Sequence, residues 1–102
     1  MDGTRVLSRE GIERARTSHA DGPDAVLPLH THMALGFMLS TPKEKMGPNP
    51  RAFGHGGMGG SMAFADPEAR LGFGYTMNEM HVGLWLIDPR AAALIEAVYA
   101  SL

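Results

Sequence analysis

The 102 residues suffice for one domain (1–102), and 44% hydrophobic with 20% charged residues is the composition of a globular chain. A formal net charge of −2, with no basic block, excludes the electrostatic footprint of a nucleic-acid binder. The absence of cysteine excludes disulfides and thiolate metal sites, and no apolar stretch approaches the ~20 residues a membrane span needs.

The N-terminal "MDGTRVLSRE" carries no apolar signal-peptide core. Either the chain is cytoplasmic or Met1 is not the natural start of its parent. Ser8 is a good N-cap for a short helix over about Arg9 to Thr17, with Glu10 near the positive end of its dipole. Leu7 and Ile12 stand at hydrophobic-staple positions. The apolar face is only Ile12 and Ala15, so this helix must lean on something else.

Residues 18–32 read as loop, because Asp21-Gly22-Pro23 and Pro28 are breakers. "HMALGFMLS" (32–40) reads as a strand and "TPKEKMGPNP" (41–50) as a loop. Strands follow over 51–57, 60–65 and 71–78. In the last, Leu71, Phe73, Tyr75 and Met77 alternate with small residues, leaving a bare face that a helix could approach. "DPEAR" (66–70) is a hairpin turn with Pro67 pre-set for its second position. Residues 79–87 are ambiguous. Asp88 as N-cap and Pro89 at N1 open a C-terminal helix with an apolar stripe of Ala91, Leu94, Ile95, Val98 and Leu102. The expected class is α+β: an antiparallel sheet of three to four strands with flanking N- and C-terminal helices.

"RAFGHGGMGGSMAF" (51–64) contains Gly54-His55-Gly56-Gly57-Met58-Gly59, a literal G-x-G-x-x-G. A dinucleotide cradle requires a helix to start there, and the following residues read as a strand, so the nucleotide reading fails. A glycine-rich turn explains the glycines but not the histidine among them.

"FGHGGMGGSMAFADPEARLGFGYTMNEM", followed by "DPRAAALIEAVYASL", resembles the C-terminal end of the β-lactamase-related serine hydrolases, and "MDGTRVLSRE" resembles their lead-in. That family includes class C-type β-lactamases, D-aminopeptidases and β-lactamase-like carboxylesterases. The resemblance implies part of the β-lactamase/transpeptidase-like fold and ester or amide hydrolysis through an acyl-serine intermediate. It implies that His55-Gly56-Gly57 stands where the family's K-T-G-type motif lines the active site. His55 takes the lysine position, Gly56 and Gly57 keep the strand bare for substrate, and the Met58 N–H is an oxyanion-hole donor. A histidine offers a carboxylate only a partial cation near neutral pH, which favours the peptidase and esterase branches. No cofactor or metal is implied, and the partner is a small ester, amide or peptide-like substrate of the full-length parent.

The family's S-x-x-K nucleophile and Tyr-x-Asn motif are missing. Ser40-Thr41-Pro42-Lys43 matches the first as text, but Ser40 closes a strand instead of opening a helix. Tyr75-Thr76-Met77-Asn78 has the wrong spacing and lies on the wrong side of the glycine motif. The chain alone is therefore expected to be inactive. The competing reading is a non-catalytic truncated or degenerate module that binds a ligand or partner chain. Without the parent's remaining strands, an open sheet edge and apolar face should favour self-association. His30-x-His32 is a metal pair without an evident third ligand, better read as loop histidines, and His19 and His81 read as surface residues. Methionines 33, 38, 46, 58, 62, 77 and 80 are expected to fill core gaps.

Overall fold

A computed structural model describes residues 3–102. Their elements are α1 (Arg9–Ala15), β1 (Ala20–Pro23), β2 (His30–Met33), β3 (Met38–Leu39), β4 (Phe53–Gly56), β5 (Met62–Asp66), β6 (Leu71–Tyr75) and α2 (Pro89–Ser101). The strands form one antiparallel sheet in chain order. The α+β class and both helices are as expected, but the sheet has six strands, not three or four.

The extra strands come from residues 18–40. Two of the expected loop's segments pair as β1 and β2, with Ala20 opposite Met33 and Pro23 opposite His30. Pro23 is tolerated because β1 is a sheet edge. Asp24 turns the chain between them, its Oδ1 accepting from the Val26 and Leu27 amides at 2.8 and 2.9 Å. The expected continuous strand over 32–40 is broken at 34–37. There Gly36 adopts φ +79 and the Ala34 amide donates to the Phe37 carbonyl at 2.8 Å, folding Met33 onto Met38.

α1 starts as expected, with the Ser8 hydroxyl accepting from the Gly11 amide at 2.9 Å. It leans on β4 mainly through Arg16. That guanidinium donates to the Arg51 carbonyl at 2.8 Å, pairs with Glu13 and lies 5.9 Å from the Phe53 ring centroid.

The register puts Met62 and Phe64 on the same face as Tyr75 and Phe73, with Ala63 and Ala65 opposite Gly74 and Gly72 on the other. α2 covers the first face, burying Ala91 and Ile95 among Met38, Met46, Ala52, Met62, Phe64 and Ile87. No described helix packs on the glycine face of β6: the space where a Cβ would stand at Gly72 or Gly74 is open. The reason is area. Burying a Phe or Met contributes roughly 1.5–3 kcal/mol, and a glycine face offers little to bury. The expected α2 stripe is also rotated. Leu94 is 45% exposed and Leu102 lies open, while Ala92 and Tyr99 pack towards the sheet. The methionine expectation holds for 33, 38, 46 and 62 but not for Met58 or Met80, which are exposed.

The β5–β6 turn is organised by Asp66, only 1% exposed. Its Oδ1 accepts from the Glu68 and Ala69 amides at 2.9 and 3.0 Å. Its Oδ2 accepts from Asn49 Nδ2 at 2.6 Å and from the Tyr99 hydroxyl. Burial alone would raise this carboxyl, but the bonds from Tyr99, Ala69, Asn49 and Glu68 prevail and hold it below its ordinary value. The Tyr99 phenol is pushed up by burial and by donating to Asp66.

Candidate active site

The other end of β5 carries the glycine–histidine segment. β4 leaves the sheet at Gly56, and the Gly57 amide donates to the Ser61 carbonyl at 2.8 Å. Inside that closure the Gly60 amide donates to the Gly57 carbonyl at 3.2 Å, making a turn with Met58 second and Gly59 third. Gly59 has φ +87, the third-position value of a type II turn. A second-position N–H takes no part in such a turn, and the Met58 amide makes no hydrogen bond among the described residues. No helix starts here: β5 begins at Met62, which removes the dinucleotide reading.

β4 is an inner strand of the sheet. It is bonded to both β3 and β5. β3 is only two residues long, however, and pairs with Phe53 and Gly54 alone. From His55 onwards that side of β4 has no strand partner among the described residues, and the Gly56 amide meets the Met38 sulfur at 3.5 Å. His55 is exposed, and its Nδ1 lies 2.5 Å from the Gly56 carbonyl oxygen. A carbonyl only accepts, so this contact places a proton on Nδ1.

Residues 79–87, ambiguous in sequence, return across this loop. The backbone of Leu86 crosses β4 so closely that a Cβ on Gly56 would lie 2.4 Å from the Leu86 carbonyl oxygen. The crossing is fixed by Glu44, whose Oε1 accepts from the Leu86 and Ile87 amides at 2.6 and 2.9 Å. The result is a groove of about 520 Å³ shared by His55, Gly56, Gly57 and Met58 with His81, Trp85 and Leu27. Among the described residues no lysine or arginine lines it, while Asp24 and Asp88 do. A larger groove, about 690 Å³, lies between the 42–48 loop and α2, but no described histidine or serine lines it.

His81 is exposed, as sequence reasoning placed it, but it lines the same groove as His55; sequence reasoning left Trp85, also in that lining, unassigned. It also missed Arg90. A cation in the first turn of a helix opposes the dipole, and that misplacement was the available signal. Arg90 is held by Asp88, the N-cap, through bonds of 3.0 and 2.8 Å. The hydrogen-bonded guanidinium outweighs desolvation and brings the Asp88 carboxyl down to about 2.

The apparent S-x-x-K is a decoy. Ser40 follows β3, no helix begins there, and its hydroxyl accepts from the Met46 amide at 3.0 Å. Tyr75 ends β6 and Asn78 lies beyond it. His30 and His32 share a face with Asp21 across β1 and β2. His30 Nε2 lies 2.6 Å from Asp21, and the His32 nitrogens contact the Ser40 carbonyl and Ser18 hydroxyl at 2.9 Å each. Both His32 nitrogens and His30 Nε2 thus meet protein groups, and no metal-binding cluster occurs among the described residues. None of the described helices is long and apolar enough to cross a membrane.

A sequence model of the beta-lactamase family matches residues 1–97. The chain belongs to the beta-lactamase family. The esterase/beta-lactamase LipL of Mycobacterium tuberculosis (strain ATCC 25618 / H37Rv) is 32% identical over 91 residues, covering 86% of this chain and 20% of LipL. A family VIII carboxylesterase superposes with a TM-score of 0.90 at 43% identity, over 100% of this chain and 27% of that one. A penicillin-binding protein homologue from Caulobacter crescentus gives 0.90 at 45% identity, with the same coverage. EstA from Arthrobacter nitroguajacolicus Rue61a gives 0.82 at 33%, over 93% of this chain and 25% of EstA. The fold is therefore that of the beta-lactamase family's esterase and penicillin-binding members, and the chain spans about a quarter of the solved relatives' length and a fifth of LipL's.

Proposed function

We propose that this chain supplies the substrate-lining strand and one oxyanion-hole amide of a serine hydrolase that cleaves an ester or amide through an acyl-serine intermediate. The observation that carries this reading is the Met58 N–H: preset by a turn, unbonded among the described residues, and beside His55 on a groove. A preorganised backbone donor is what a developing oxyanion needs, since it costs no reorganisation as charge appears. His55 and Gly56-Gly57 form the wall along which substrate lies. The nucleophilic serine and its lysine belong to an S-x-x-K segment outside these 102 residues.

The preferred substrate is an uncharged ester. The groove holds no permanent cation to receive a carboxylate, and Trp85, Leu86, Leu27 and Met58 give it an apolar lining. The similarity to a carboxylesterase and to the esterase/beta-lactamase LipL supports the ester part of this reading. Alone, the chain lacks a nucleophile and is inactive. Its outer sheet face, with Phe37, Phe53, Ala63 and Ala65, forms a shallow groove that other parts of the enzyme would cover. The isolated chain self-associates through such open surfaces.

Nitrophenyl-ester turnover tests the assignment. The expected result is none from the purified 102 residues, and turnover from a longer protein that joins this segment to an S-x-x-K region. Turnover by the 102 residues alone would overturn the division of labour. A longer protein with both parts and no hydrolysis of any ester or amide would overturn the hydrolase reading.

A further inference from the structure

We infer that Arg90, held by Asp88, is a positioning residue that aims the Met58 N–H by gripping the far side of its turn. This rests on the reading of Met58 as an oxyanion donor. The connection runs through two peptide planes. The Gly59 carbonyl accepts from Arg90 Nη2 at 3.2 Å and from the His81 amide at 3.1 Å. That carbonyl shares a peptide plane with the Gly60 N–H, which donates to the Gly57 carbonyl at 3.2 Å. The Gly57 carbonyl in turn shares a plane with the Met58 N–H. No peptide bond is cis, so in each plane the C=O and N–H point in opposite directions. Fixing the Gly59 oxygen therefore fixes the Gly60 hydrogen, the Gly57 oxygen and the direction of the Met58 hydrogen.

Arg90 is equipped for this task. Nε and Nη2 engage both Asp88 oxygens at 3.0 and 2.8 Å, which sets the plane of the fork. Nη1 donates to the Glu79 carbonyl at 2.9 Å, tying down the segment that carries His81. Asp88 is itself buried and fixed by the Arg90 backbone amide at 2.8 Å. One guanidinium thus joins the start of α2, the 79–81 segment and the β4–β5 turn. A lysine ammonium has neither the planar fork nor the reach for these acceptors together, so Arg90→Lys preserves charge and loses the geometry. Asp88→Asn keeps a helix cap of equal quality while weakening the hold on the guanidinium.

The test is amide NMR on the 102-residue chain with Arg90→Lys and Asp88→Asn. Exchange protection of the Gly60 and His81 amides should fall at least ~10-fold, and the order parameter at Met58 from about 0.85 to below about 0.6, while Phe64 and Ile95 keep their protection. Unchanged order at Met58 to Gly60 in both variants would overturn the proposal. So would an equal loss of protection throughout the core, which marks a merely structural role. Neither outcome depends on catalysis. The oxyanion reading fails separately, if Met58→Pro leaves turnover intact in an active protein containing this segment.

Discussion

The two ends of β5 are built on opposite principles. At Asp66 a buried carboxylate accepts four hydrogen bonds, from the Asn49 and Tyr99 side chains and from two backbone amides of the turn. At the Met62 end the chain turns through glycines and leaves Met58 85% exposed, with its amide unbonded among the described residues. Asp66 is a node whose bonding capacity is used up inside the protein. The Met58 turn is bonded from behind through the Gly59 carbonyl, and among the described residues its Met58 donor stays unpaired. The contrast teaches that a site is recognised here by what its framework leaves unpaired, more than by the presence of a titratable side chain.

The sharpest way to break the saturated end is Asp66→Ala. It leaves the Asn49, Tyr99, Glu68 and Ala69 donors without their acceptor and should cost about 3–5 kcal/mol, lowering the melting temperature by more than ~10 °C. Calorimetry or a circular-dichroism melt checks this. A comparable loss in another currency is expected at the open end. Met58→Pro suits the second position of a type II turn and deletes the N–H along with the Met58 side chain, for which Met58→Ala is the control. In an active protein containing this segment, kcat should fall roughly 10²–10³-fold with little change in melting temperature. Steady-state kinetics beside a thermal melt separates the two ends cleanly.

Acid and alkali probe both ends together. Asp88 is held at about 2, below the 3.8 of a free Asp, chiefly by its hydrogen bond with Arg90, and Asp66 is also lowered. Folded values below unfolded ones mean that the stabilisation is complete above about pH 4 and is lost as pH falls towards 2. Tyr99 is raised above 10.0, so its contribution is complete below about pH 10 and lost above it as the phenolate forms beside Asp66. Thermal melts across pH should show a plateau between these limbs. Asp88→Asn should flatten the acid limb and Tyr99→Phe the alkaline one.

The smallest expected change is His55→Lys. A permanent cation in the groove should lower KM for carboxylate-bearing esters a few-fold and leave neutral esters nearly unchanged. Competition between paired substrates measures it. A lysine variant that discriminates no better would remove His55 from the specificity argument.

What the sequence determined is local. Ser8 and Asp88 cap helices because their side chains meet amides two or three residues away. The glycine–histidine segment and the period of β6 were legible for the same reason, and the family resemblance then gave the segment a role. Tertiary structure decided what depends on distant neighbours. The 18–40 region became three strands because each segment found a partner across a turn, against its prolines and glycines. α2 rotated its buried face towards Phe64 and Ile95's neighbours, leaving Leu94 half exposed. Glu44 reached Leu86, 42 residues away, and Arg90 reached Gly59, 31 residues away. Such contacts leave no period or spacing in the chain. They form because a buried or closely packed polar group must find a partner, and only the folded chain determines which one is within reach.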